Sequence, residues 1–210
     1  MLPGSRRPGR DLRFRLRAAT AQAHAALEVA MALEIRCRRR DDYRALLARL
    51  WGLYAPLELA LARLSWDEAE TLVRRRAKAP WLMSDLISLG LSTADIETLP
   101  LASALPPIES AADALGILYV LEGATLGGQL ILARVERDLG VTAQSGARFF
   151  ASYGPEVGGH WRAFVETLER HAPAGWEIER AAMATFRTFL DWMGDRTVER
   201  VPIKESIHAG

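Results

Sequence analysis

The chain has 210 residues, is 50% hydrophobic and carries a formal charge of +1. This suits one globular domain with a sizeable core, and it excludes a bulk electrostatic pull toward nucleic acid or an anionic membrane. The single cysteine, Cys37, excludes an internal disulfide and a cysteine-built zinc site, and it suits a reducing, cytoplasmic setting.

Residues 1–10 combine prolines, glycines and arginines without the apolar core of a signal peptide, so a disordered basic tail is expected. Asp11 opens a helix to about Ala32, with Leu12, Leu16, Ala19, Ala23 and Leu27 on one apolar face. The cluster Arg36, Arg38, Arg39 and Arg40 precedes a second helix that begins at Asp41. Its inward set is Tyr43, Leu46, Leu47, Leu50, Leu53, Tyr54, Leu57, Leu61 and Leu64, and Pro56 is expected to kink it. Asp67–Lys78 reads as a short charged helix, Pro80–Leu89 as another that stops at Gly90, and Ser92–Leu99 as one or two turns.

After a linker with Pro106 and Pro107, Ser110 and Asp113 resemble a capping box and open a long helix that stops at Gly140. Residues 141–154 read as a loop bearing Phe149, Phe150 and Tyr153. Pro155 suits the first position of a helix that reaches His171. A last helix spans Trp176–Met193, with Ile178, Ala182, Phe186, Phe189, Leu190 and Met193 inward, and residues 195–210 form a polar tail. No strand pattern or internal repeat is present. The expected fold class is all-α, a single compact multi-helix bundle over residues 11–194.

The run Ala114–Ala133 is nearly uncharged and carries Gly116, Gly123, Gly127 and Gly128. Each interior glycine costs a helix roughly 1 kcal/mol relative to alanine. Gly123 and Gly127 share one face with Tyr119, so a flat ligand against bare backbone explains them, and tight helix packing is the alternative. The run is long enough to span a bilayer, but Glu122 in its middle and the amphipathic flanks favour a buried core helix.

Of the four histidines, His208 lies in the tail, His171 at a helix end and His160 beside Trp161 and glycines in a structural role. His24 lies mid-helix at the edge of the apolar stripe. Arg17 precedes it by nearly two turns and Glu28 follows by one, all on the same face. A cation, a ligand nitrogen and an orienting carboxylate in that order suit a metal-bearing ligand with acidic arms, such as haem. No Gly-x-Ser-x-Gly elbow, phosphate-binding loop or His-Glu-x-x-His motif is present, and no strand precedes Gly123 to make a dinucleotide fingerprint.

The stretch Leu16-Arg17-x-Ala19-Thr20-x-x-x-His24-x-x-Leu27-Glu28 resembles the proximal helix of haem oxygenases. Tyr119-Val120-Leu121-Glu122-Gly123-Ala124-Thr125-Leu126-Gly127-Gly128-Gln129 resembles their distal helix, closest to the branch found beside bacteriophytochromes. Phe149 to Gly154, Trp161, Phe164 and Thr185-Phe186-Arg187 are similar to further segments of that branch. The resemblance implies that haem b is both cofactor and substrate, cleaved with O₂ to biliverdin, CO and ferrous iron. It implies electrons from an external reductase or ferredoxin and a bacteriophytochrome as a receiver of biliverdin. The arginine clusters at the start of the chain and at residues 36–40 are either a docking surface for that donor or a solvated tail and turn. By the same resemblance His24 is the axial iron ligand supported by Glu28. Arg17, Arg187 and Tyr119 bind propionates, and Gly123 and Gly127 lie over the distal face and admit O₂. Ala124 stands where animal-type relatives carry the aspartate that organises a water chain, which leaves Thr125 and Gln129 as polar candidates nearby. The same residues also fit a haem carrier or sensor without turnover. A helical thiaminase-like enzyme is a third reading, but it would lean on a cysteine and acidic residues instead.

Overall fold

The computed structural model describes residues 11–64 and 77–195, and every regular element among them is helical. In chain order these are α1 (Asp11–Met31), α2 (Leu33–Arg36), α3 (Arg40–Leu61), α4 (Ala79–Ser88) and α5 (Thr93–Glu97). They continue as α6 (Ala111–Leu139), α7 (Arg148–Ala151), α8 (Val157–Arg170) and α9 (Gly175–Gly194). The expected helix over Asp67–Lys78 lies outside the described residues except for its last two positions, which are not helical. The two tails, with His208, also lie outside them.

The sequence signals at the element ends act as expected. The Ser110 hydroxyl accepts from the Asp113 N–H at 3.2 Å and starts α6, and Gly140, at φ 64°, ends it in the left-handed conformation that glycine adopts without steric cost. Ser92 and Asp95 form a complete capping box that supports the single turn and a half of α5. Pro56 lies inside α3, whose inward residues from Tyr43 to Leu61 are buried.

α6 runs through the centre. Its most apolar stretch is long enough to cross a membrane by length and composition, and 56% of that window is buried inside the bundle. It packs most extensively against α9, which in turn packs against α1. Gly116 sets how closely α6 and α9 approach. A Cβ there would stand 2.5 Å from the Ile178 carbonyl oxygen and 2.6 Å from the Ala181 Cβ. At the far end a Cβ on Gly128 would meet the Phe150 carbonyl oxygen at 2.6 Å. For these two glycines, close packing is the explanation.

Two expectations are corrected. Residues 148–151 are not loop but the short helix α7, because the buried Asp85 carboxylate accepts the Arg148 and Phe149 N–H groups at 2.7 and 2.8 Å. The cap comes from α4, remote in sequence, so no local pattern announces it. Burial lifts the Asp85 carboxyl to about 6, against the pull of those two N–H groups and of Arg148. On α1, Leu12 and Leu16 are buried, but Ala19 is exposed and Ala23 and Leu27 are only half-buried. The apolar face continues past the point where the core stops covering it.

Gly116→Ala is expected to lower stability by about 1–3 kcal/mol, the usual range for overpacking a tight contact, although alanine is the better helix former. Denaturant unfolding reads it directly, and an unchanged midpoint would show that α6 and α9 can separate without loss.

Candidate functional site

The uncovered half of α1 faces a cavity of about 610 Å³ between α1 and α6, within the size range of small-molecule sites. Tyr119 of α6 reaches Thr20 of α1, and the lining extends to Leu27 on α1 and Gly128 on α6. Phe149, Phe150, Trp161, Phe186 and Phe189 supply aromatic wall. The slot is therefore apolar in its body.

His24 lines it from α1, with its ring edge-on to Phe186 at 6.0 Å. The imidazole is exposed into this space, and its Nδ1 stands 3.5 Å from Glu28 Oε1. That contact favours a donated proton on Nδ1 and leaves Nε2 as the free electron pair. Gly123 lines the slot from α6. A Cβ there would have nothing nearer than Trp161 at 3.9 Å. Unlike Gly116 and Gly128, this glycine leaves open space beside bare backbone.

One edge of the slot is basic. Arg13 and Arg17 line it next to Tyr119. Burial pushes the Tyr119 hydroxyl up, while its bond to Thr20 and the Arg17 and Arg13 guanidiniums pull it back. Two guanidiniums and a phenol at one edge form a place for carboxylates. Arg13 was not singled out from the sequence, where it was one of many arginines in a basic stretch.

Three expected residues stand outside the wall. Glu28 touches it only through His24. Gly127 is exposed, with nothing within 4 Å of a Cβ, and its neighbours Leu126 and Gly128 line the slot instead. Arg187 is exposed and follows the lining residue Phe186.

The wall also holds an ion pair that sequence reasoning did not anticipate. Lys78 lines the slot yet is 1% exposed, and its Nζ lies 2.5 Å from Oε1 of the fully buried Glu122. The same oxygen accepts from the Tyr153 hydroxyl at 3.1 Å. Lys78 is placed by its own backbone N–H, which with that of Ala79 donates to the Glu58 carboxylate at 2.7 and 2.9 Å. Burial raises the Glu58 carboxyl, against those two donors and the Lys78 charge. Tyr54, also in the wall, is held neutral by burial and by the nearby Glu58 and Glu122 carboxylates. The one sequence signal for the pair was Glu122 itself, an acid in an apolar run that needs a buried partner.

An apolar cavity with a basic edge suits an apolar ligand that carries acidic groups along one side. Comparison with known proteins narrows the class. The family model described as heme oxygenase matches residues 10–195, and the chain belongs to that family. A crystal structure of the NO- and CO-bound heme oxygenase from Neisseria meningitidis superposes with a TM-score of 0.71 at 23% identity, covering 90% of this chain and 92% of that one. No curated protein sequence matches the chain. The protein is thus a haem-degrading monooxygenase that binds haem, uses O₂ and produces biliverdin. The residues present fit that substrate. Gly123 leaves room for a ring against the backbone, and the basic edge meets the carboxylates that a porphyrin carries.

Gly123→Ala separates the two kinds of glycine in α6. The open space predicts unchanged or higher thermal stability, up to about 1 kcal/mol from helix propensity. Hemin affinity and turnover are expected to fall, because the added methyl projects into the slot. A drop in stability comparable to that of Gly116→Ala would remove the distinction.

Proposed function

We propose that His24 is the axial ligand of the haem iron and that Glu28 orients its imidazole. Arg17 and Tyr119, with Arg13, hold haem carboxylates at the basic edge, and Arg187 supplies a further cation beside Phe186. Gly123 keeps the facing wall thin, and Gly127 keeps the next turn of α6 bare. The observation that carries this reading is that His24, Gly123, Arg17 and Tyr119 line one slot although they come from two helices remote in sequence.

Bound haem supplies the iron that activates O₂ and the meso carbon that is oxidised. The protein's part is positional and electrostatic. His24 would offer the iron a neutral imidazole, a weaker electron donor than a thiolate. The aromatic wall excludes bulk water, and the α6 backbone limits the directions open to a bound diatomic. The guanidiniums at one edge fix which way round the ring sits.

An external reductase or ferredoxin supplies the electrons and docks on the basic surface that Arg38, Arg39 and Arg40 expose. The likeness of the motifs to the phytochrome-linked branch supports a bacteriophytochrome as receiver of the biliverdin. The lone buried cysteine is compatible with a cytoplasmic setting.

Hemin titration with His24→Ala tests the ligand. The native chain should give a Soret band that decays to a biliverdin band with reductant and O₂. The variant should lose the native Soret position and the turnover, and an unchanged spectrum counts against His24. A native band that persists under reductant and O₂ selects a haem carrier. The docking reading has a separate measure: reduction by an acidic donor protein should slow as salt rises, and a salt-independent rate speaks against the arginine surface.

A further inference from the structure

Proton supply is the part of the reaction that the assigned residues leave open. Ala124 brings no acid to the slot, and the two polar candidates near it are engaged elsewhere. Thr125 donates its hydroxyl proton to the Glu122 carbonyl at 2.7 Å, and the Gln129 amide donates to the Ala151 carbonyl at 3.0 Å. Lys78, Glu122 and Tyr153 make a hydrogen-bonded line through the wall at this place. Its inner end, Lys78, belongs to the slot. Its outer end, Tyr153, belongs to a second recess, open to the surface and lined also by His160 and Glu156. The Tyr153 ring is stacked on the His160 imidazole at 3.9 Å, and His160 Nε2 stands 3.6 Å from Glu156 Oε2. A buried ion pair is a poor source of stability, since replacing both partners with apolar groups is often neutral or better. Its position between two water-accessible spaces points to another use.

We propose that Lys78, Glu122 and Tyr153 form a relay that carries protons from the His160 recess through the wall into the haem slot. The Lys78 ammonium gives a proton to an acceptor in the slot, by way of water, and becomes an amine. The Tyr153 hydroxyl then gives its proton to the Glu122 carboxylate, which passes it on to that amine and is a carboxylate again. Because one oxygen, Oε1, accepts both bonds, the carboxyl group need not rotate. Tyr153 is refilled from the solvent of the recess. Each cycle moves one proton inward and restores all three groups, matching an electron that arrives from the donor protein.

The inference rests on the haem-degrading reading of the slot, and its test keeps the two apart. Two variants of the full chain serve: Tyr153→Phe, which keeps the stacked ring, and the double variant Lys78→Met with Glu122→Leu, which leaves no unpaired charge. Both should bind hemin within about threefold of the native chain. With reductant and O₂, both should lose hemin at least about tenfold more slowly, the low end of what a positioned proton donor contributes. D₂O should slow them more than it slows the native chain. Rising phosphate buffer at constant pH and ionic strength should restore part of their rate, because a diffusing acid replaces the relay. Apart from turnover, carbon monoxide bound to the ferrous hemin complex should shift its C–O stretch in the double variant, which removes a charged pair from the slot wall. Native rates, a slowed variant indifferent to both D₂O and buffer, or an unmoved stretch each overturn the relay. If the double variant does not fold, Tyr153→Phe decides alone. A native chain without any Soret band on adding hemin overturns the haem reading itself.

Discussion

Everything that makes the slot depends on how α6 is held. Gly116 lies against the backbone of α9 and Gly128 against the carbonyl of Phe150, each so close that a methyl group would collide. These two contacts pin the helix at both ends of its middle section. Between them Gly123 and Gly127 have no such neighbour, and Gly123 faces the slot. A helix clamped at two points is a rigid wall, and a rigid wall can hold a ring at a set distance without closing over it. The same residue type thus serves opposite purposes within four turns.

The second constraint is electrostatic. α6 carries Glu122 into the centre of the bundle, where an unpaired carboxylate is untenable. The fold answers with Lys78 and Tyr153 from two other segments, and Lys78 is in turn set by the Glu58 carboxylate of α3. Three segments therefore meet at the Glu122 charge, and a fourth, α3, sets the position of Lys78. Apolar replacement of a buried ion pair is often neutral or stabilising, so stability alone does not account for this one, and the proposed proton relay gives its ionisable groups a use.

Legibility varied by the range of the interaction. α1, α3, α6 and α9 were readable because their apolar residues recur with the helical period, and Ser110 and Gly140 mark the ends of α6 by local chemistry. His24, Glu28 and Arg17 were readable as a row because one helix carries all three. α7 was not readable, since its first N–H groups are capped by Asp85 from another element. Arg13 and Lys78 were missed because nothing in the neighbouring residues distinguishes a cation that faces a slot from one that faces water. Ala19 belongs to the apolar stripe of α1 and is nevertheless exposed, because periodicity records a stripe and not where its cover ends.

By itself the sequence determined the helical class, the long glycine-bearing helix and the order of residues along the first and sixth helices. Those follow from intrahelical spacing and capping, which act over a few residues. Tertiary structure alone decided which glycines pack and which stay bare, that α1 is only partly covered beyond Thr20 and lines the slot there, and that Glu122 meets Lys78 and Tyr153. Each of those is a contact between segments distant in the chain. Such contacts are set by how the helices fill space together, a quantity that no local pattern encodes.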